Sequence, residues 1–431
     1  MTGHASGALG LLRDREFAAL SGVAFARSQA YSTILIALAL YADQFGTTGV
    51  VEGLFGTAFA IAQLLVVLPL GRKVDTGNAK HFLLAGLAIN VAVFVGFAMV
   101  ENSVHVILIR ILQGLGASLL WITGSAVVGE ISPEDGSGRW LGAYNQVGAF
   151  SSLAGDVIGG YLLYTYDFVW AYAALTAITF LALVLVWRYL RDNPGGQKDP
   201  DEATGMETFR SLLSRPMIRA LVIFRVGFSV GKMAVIIFLP IFARTEFGIN
   251  AFAIGWILAG GKLTKSIFQG YMGDLTDRIG RRYWFVAVGA LLYGLGTALI
   301  PFALVFEGAI QPVRFDAFGR TQVLGGAFFA LFAAYGILGI ADSVRLPASM
   351  ALFVEEGETL DSVASSMSLR SIAWKVGQVT GPVLVGGIKD AVSTTAAFLT
   401  AAAFIGVATG IFVITYLRTR ETSVATPAAG D

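Results

Sequence analysis

Several charged side chains stand inside long apolar stretches of this 431-residue chain, among them Arg27, Arg110, Asp156, Arg225, Lys232, Lys262, Lys265, Arg370 and Lys375. A charge in such surroundings is costly, so it is normally paired, aimed at an opposite charge or used to carry a proton. Arg225 and Lys232 are seven residues apart and share a helix face; Lys262 and Lys265, three apart, share another. Arg370 and Lys375 are five apart, so at most one of them faces the same way. Asp342 is the only nearby acid for these six cations of the C-terminal half. The excess predicts a positive cavity suited to a carboxylate, phosphate or similar anion, with Lys232 and Lys262 leading because they lie nearest mid-span. The alternative is that most of the lysines snorkel to polar surroundings or sit neutral.

Composition narrows the context of these charges. Hydrophobic residues make up 55% of the chain and charged ones 14%, against about 25% charged in soluble domains. Mean hydropathy is +0.71. A water-soluble enzyme and a disordered chain are both excluded. The net charge of +1 argues against a nucleic-acid partner. There is no cysteine, and the three histidines (His4, His81, His105) are scattered, so neither a thiolate site nor a histidine metal cluster is expected. No Gly-Lys-Ser/Thr phosphate loop and no paired catalytic groups occur, so no cofactor and no enzymatic activity are expected.

Twelve apolar runs position the charges: 17–42, 50–70, 81–100, 104–129, 140–164, 168–187, 217–242, 251–272, 284–306, 322–344, 363–388 and 394–417. Each approaches the ~20 residues that a membrane-crossing helix needs. None alternates with period two, which argues for helices and against a barrel. The polar first 16 residues and the long run after them do not resemble a cleavable leader. With the N-terminus cytoplasmic, 18 of the 30 Lys and Arg fall on the inner side and 4 outside (Arg244, Arg314, Arg320, Lys389), which places both termini in the cytoplasm.

The chain also repeats itself. At an offset of 202, Phe45-Gly46 recurs as Phe247-Gly248, Gly53 as Gly255, Gly71 as Gly273, Asp75 as Asp277 and Lys80 as Arg282. At an offset of 226, Glu130 matches Glu356, Gly155 matches Gly381 and Gly160 matches Gly386. The polar stretch 188–216 separates the copies. The expected fold is an all-α integral membrane protein with twelve transmembrane helices in two pseudo-symmetric six-helix bundles, 1–187 and 217–431, joined by a cytoplasmic linker, 188–216. Parallel six-helix repeats with a midplane site are a transporter architecture.

Arg110 and Asp156 fit this layout as a pair. Arg110 lies about 6 residues, roughly 9 Å, from the outer end of its span, and Asp156 about 8 residues, roughly 12 Å, from the outer end of the next. The pair is either purely structural or a proton carrier. Asn145, Ser152 and Asp156 form one polar stripe.

The loop Gly273-Asp274-Leu275-Thr276-Asp277-Arg278-Ile279-Gly280-Arg281-Arg282 and its copy from Gly71 through Asp75 to Lys80 resemble the signature loop of the major facilitator superfamily. Arg110-Ile111-Leu112-Gln113-Gly114 resembles that family's fourth-helix motif. Gly381-Pro382 with Gly386-Gly387 is similar to its exporter motif, whereas Asp156 stands at the proline position of the N-terminal copy. The resemblance covers nearly the whole chain. It implies a latch at the loops (Gly71, Asp75, Lys80, Gly273, Asp277, Arg278, Gly280, Arg281), a charged belt at Glu130 and Arg139, and a cavity faced by Arg27 and by helices seven, eight and eleven. A merely topogenic turn is the plainer reading of the loops.

The expected function is secondary active transport of a small, anionic solute by alternating access, coupled to protons. Its site would hold Arg27, Arg225, Lys232, Lys262, Lys265, Arg370 and Lys375, with Asp156 and Arg110 in proton coupling. The alternatives are a proton/drug antiporter and a non-transporting membrane sensor. The expected partners are a small-molecule substrate, protons and the bilayer of the cell membrane, with the chain a monomer.

Overall fold

The computed structural model describes residues 8–133, 136–194, 206–317, 319–359 and 362–425. After a single turn, α1 (Ala8–Leu11), come α2 (Arg15–Phe45), α3 (Gly49–Thr76), α4 (Ala79–Ala98), α5 (Ser103–Ile131), α6 (Ser137–Thr165) and α7 (Asp167–Tyr189). Short α8 (Met206–Ser214) precedes α9 (Pro216–Phe247), α10 (Ala251–Ile279), α11 (Arg282–Leu299), the short α12 (Ala303–Ala309), α13 (Gly326–Glu358), α14 (Val363–Ala391) and α15 (Thr394–Ala425). Each of the twelve apolar runs overlaps one long helix. The expected linker falls partly on residues 195–205, outside the described residues.

Local chemistry sets the helix ends. The Asp14 carboxylate accepts from Phe17 N at 2.9 Å, and the Asn102 side chain accepts from His105 N at 3.0 Å, each covering an orphan donor of a first turn. The repeated Phe-Gly pair is a stop signal: Gly46 (φ +54°) and Gly248 (φ +63°) are left-handed caps of α2 and α9.

Among the described residues, nine helices are long and apolar enough to cross a membrane. The long helices that fall short are α6, α10 and α14, which carry Asp156, Lys262 with Lys265, and Arg370 with Lys375. Asp156 and four of the six cations singled out in the C-terminal half are thus set in the least apolar helices, whereas Arg225 and Lys232 lie on α9, which is apolar enough to cross.

Two spans depart from expectation. Residues 322–324, expected to open the tenth span, belong to an antiparallel hairpin, β1 (Val313–Ala317) and β2 (Arg320–Leu324), paired from Val313 with Leu324 to Ala317 with Arg320. Alternating apolar residues and the left-handed Gly319 (φ +71°) favour it over a helix. The helix begins later, at Gly326, and runs on to Glu358 through apolar residues 346–353. Arg345, one residue past the expected end of the tenth run at 344, is therefore inside α13 and 1% exposed. The ninth span breaks into a 3-10 turn, Ile300–Phe302, at Pro301, before α12.

The chain forms two compact units: Met1–Thr47, Ala58–Ala203 and Asn250–Ala259 in the first, Thr48–Thr57, Thr204–Ile249 and Gly260–Asp431 in the second. In the first, Phe17, Leu20, Leu87, Leu120, Tyr144 and Val186 join α2, α4, α5, α6 and α7 in one core. In the second, α9 packs tightly on α14. A Cβ at Gly377 would lie 2.5 Å from Ser229 Cβ, so this approach requires glycine. Ser229 Oγ donates to the Trp374 carbonyl at 2.7 Å across the same seam.

Candidate functional site

The charged core of the second unit is built around Asp342 of α13. Asp342 lies about 16 residues from the C-terminal end of α13, Lys232 about 16 from the N-terminal end of α9, and Lys265 about 14 from the C-terminal end of α10. At 1.5 Å per residue these are depths of roughly 21–24 Å, so the three meet at one level. Lys232 Nζ donates to Asp342 Oδ2 at 2.6 Å, and Lys265 Nζ is 2.8 Å from the same oxygen. Arg345 Nη2 donates to Oδ1 at 2.6 Å. One carboxylate thus neutralises part of three cations from three helices.

Aromatic rings surround this hub. The Arg345 guanidinium lies 3.9 Å from the Phe228 ring centroid, and Lys232 Nζ lies 5.4 Å from that of Tyr293. Arg225 stands 4.5 Å and Lys232 6.0 Å from the Trp374 ring, so the two residues assigned to one face of α9 share one indole. Arg370 is one turn before Trp374 on α14. Arg345 and Arg370 are both charged neighbours of Arg225. Nε and Nη1 of Arg225 and of Arg345, and Nε of Arg370, are buried without a hydrogen-bond partner. Arg225 itself is 7% exposed.

The remaining expected ligands are placed less centrally. Lys375 Nζ donates to Gln378 Oε1 at 3.1 Å on its own helix. Lys262 is half-buried on α10, and of the two α10 lysines it is Lys265 that is joined to Asp342.

In the first unit, Arg110 of α5 and Asp156 of α6 are both fully buried. Arg110 Nη1 donates to Gln113 Oε1 at 2.6 Å, and its guanidinium lies 4.4 Å from the Phe59 ring. The stripe on α6 faces α2: Ser152 Oγ meets Ser32 Oγ at 2.7 Å, and Thr33 Oγ1 donates to the Gly155 carbonyl at 3.1 Å. Arg27 is buried 3.9 Å from the Trp121 ring, with Nε and Nη1 lacking hydrogen-bond partners.

The expected signature loop is mostly helix: Gly273 to Ile279 form the end of α10, and its charges pair there and with α13. Arg278 pairs with Asp274 at 2.7 Å, and Arg282 with Asp277 at 3.2 Å and with Glu355 of α13. Gly280 (φ +67°) makes the turn, Arg281 precedes α11, and a Cβ at Gly273 would make ordinary contact with Pro347 at 3.9 Å. In the first copy, Gly71 and Asp75 lie within the end of α3, not in a loop, and the Asp75 side chain lies outside what is described; Lys80 pairs with Asp192 at 3.0 Å. Glu130 and Arg139 are exposed.

The model of the Major Facilitator Superfamily matches residues 20–244 and again 221–431. The chain belongs to that superfamily. It is a multi-pass membrane transporter with the twelve-helix facilitator fold. A multidrug resistance protein MdtG of Yersinia enterocolitica is 25% identical over 87% of this chain and 86% of its own length. An uncharacterized MFS-type transporter of Methanocaldococcus jannaschii is 21% identical over 88% of this chain and 92% of its own. The class E tetracycline resistance protein of Escherichia coli is 26% identical over 61% of this chain and 66% of its own. Among solved structures, the nucleoside transporter NupG superposes with a TM-score of 0.72 at 12% identity, and a bacterial homologue of the lysosomal transporter Spinster with 0.71 at 16%; the NupG match covers 93% of this chain and 98% of that one, the Spinster match 93% and 97%.

Sequence reasoning about this facilitator missed several groups. Arg345 was left out of the candidate site because the tenth run was ended at 344, although the largely apolar residues 346–353 signal a longer helix. Phe228 and Tyr293 carry no spacing signal that separates them from core. In the second unit, Lys389 Nζ donates to Glu52 Oε1 at 2.7 Å, and the Asp390 carboxylate accepts from Gly49 N and Val50 N at 2.6 and 2.9 Å. The approach of those distant segments is not visible in the sequence.

Proposed function

We propose that this transporter moves a small anionic solute across the cell membrane by alternating access, coupled to protons, with both chain ends cytoplasmic. The observation that carries the reading is the cation excess around Asp342. Lys232, Lys265 and Arg345 contact one carboxylate from three helices, and Arg225 and Arg370 add their charge nearby from α9 and α14. A low-dielectric interior with such an excess attracts anions and repels hydrophobic cations. Arg27 supplies a further buried guanidinium in the first unit. Arg110 and Asp156 are assigned to proton coupling, because both are charged side chains held wholly inside the first unit.

Drug efflux is the second reading, favoured by the printed names of the MdtG and tetracycline-resistance relatives. Asp156 at the proline position of the exporter motif weighs against it. The two are separated by binding to the purified full-length protein: benzoate and phenyl phosphate against tetraphenylphosphonium. The anionic reading expects saturable binding of the anions alone; preference for the cation overturns it in favour of efflux.

A further inference from the structure

We infer that Arg225, Arg345 and Arg370 form a binding site for a dianionic headgroup, a phosphate monoester or a dicarboxylate, while Lys232 and Lys265 are held back by Asp342. The inference rests on the anionic-solute reading and says which cations take the anion and how much charge it carries.

Asp342 divides the cluster. Its Oδ2 serves Lys232 and Lys265, and its Oδ1 serves one nitrogen of Arg345. That one carboxylate is shared by both lysines and one edge of Arg345, whereas Arg225 and Arg370 have no ion pair among the described residues. Five donor-bearing atoms, Nε and Nη1 of Arg225, Nε and Nη1 of Arg345 and Nε of Arg370, are buried with no partner. Native structures rarely leave such groups unsatisfied, because each costs its full desolvation. Three guanidinium groups doing so together, in one another's field, points to a ligand rather than to packing.

The seam between α9 and α14 fixes their spacing. Ser229 lies against Trp374 and Gly377, and Val230 against Gly381, so the two helices run side by side in the same direction. In that register Arg225 is level with Trp374, and Arg370 is one turn, roughly 6 Å, nearer the start of α14. Arg345 enters from α13, with Asp342 behind it. The Trp374 indole and the Phe228 ring back two of the guanidinium groups and leave their N–H edges for a ligand.

The charge count sets the class. Five cations against Asp342 leave an excess of four formal positive charges. A monocarboxylate offsets one of them; a dianion offsets two and offers more acceptor oxygens to the open donors.

The test uses the full-length protein in nanodiscs at pH 8, where phenyl phosphate is a dianion. Calorimetric titrations compare phenyl phosphate, phthalate and benzoate. The inference expects both dianions to bind at least about tenfold tighter than benzoate, and Arg225→Gln and Arg370→Gln each to weaken that binding about tenfold. Lys232→Gln should lower affinity by a clearly smaller factor. Preference for only one dianion tells phosphate from dicarboxylate. Arg225→Lys keeps the charge and serves if Arg225→Gln melts before binding can be read; it should still weaken the dianion, since one ammonium cannot replace the planar donor set. Benzoate binding as tightly as the dianions, or losses that follow Lys232 and Lys262 instead of the arginines, would overturn the site while leaving an anion transporter. No binding of any anionic probe, with saturable binding of tetraphenylphosphonium, would remove the anionic reading and the site together.

Discussion

At the scale of single residues, Asp342 has two opposed effects in one side chain. It balances Lys232, Lys265 and Arg345, and it also offsets the positive field that the solute would meet. Asp342→Asn should therefore destabilise the protein, by about 3–5 kcal/mol if the buried pairs are simply broken. It should at the same time tighten binding of phenyl phosphate. A thermal melt and a titration on the same sample check both signs; weaker binding together with lower stability would show that Asp342 organises the site and does not merely compete for its cations. Asp156→Asn addresses the other buried acid. Proton-driven accumulation should be lost while solute exchange persists, and survival of both in proteoliposomes would contradict the proton role. The cations of this core were legible in the sequence, because a charge in an apolar run is conspicuous. Asp342 was legible too, as the only nearby acid, but which of the cations reach it was not. Which lysine of α10 reaches Asp342 depends on helix rotation and register, and Arg345 was hidden by the expected end of its helix.

At the scale of elements, the same lesson has a different cause. Hydrophobic runs located all twelve long helices, since their length and apolarity are properties of local sequence. The hairpin β1–β2 was missed because its apolar residues blended into the adjoining run. Helix ends were predictable where they rest on one residue type. Gly248 caps α9 in the left-handed region, so Gly248→Ala should cost about 1 kcal/mol with little effect on binding. The seam of α9 with α14 is more demanding. Gly377→Ala would drive a methyl group into Ser229 Cβ and should cost about 1–3 kcal/mol. Because that seam carries Arg225 and Trp374, the same change should also weaken anion binding severalfold. A melt that falls with an unchanged affinity would mean that the seam supports the fold but not the site.

At the scale of the whole molecule, the repeat visible at offsets of 202 and 226 agrees with two matches to one family model, and the twelve helices follow the facilitator fold. Fold and family could be read from the sequence because they are written in many weak, additive signals. The solute was not, because it depends on a few side chains brought together from four helices. The charge excess around Asp342 is the feature from which the anionic solute is proposed. The decisive measurement is therefore flux: purified protein in liposomes, with labelled phenyl phosphate and labelled tetraphenylphosphonium followed under an imposed pH gradient. The account predicts saturable, gradient-dependent movement of the anion that is reduced at least about tenfold by Arg225→Gln. Gradient-dependent movement of the cation, unaffected by that substitution and with no anion flux, would contradict it.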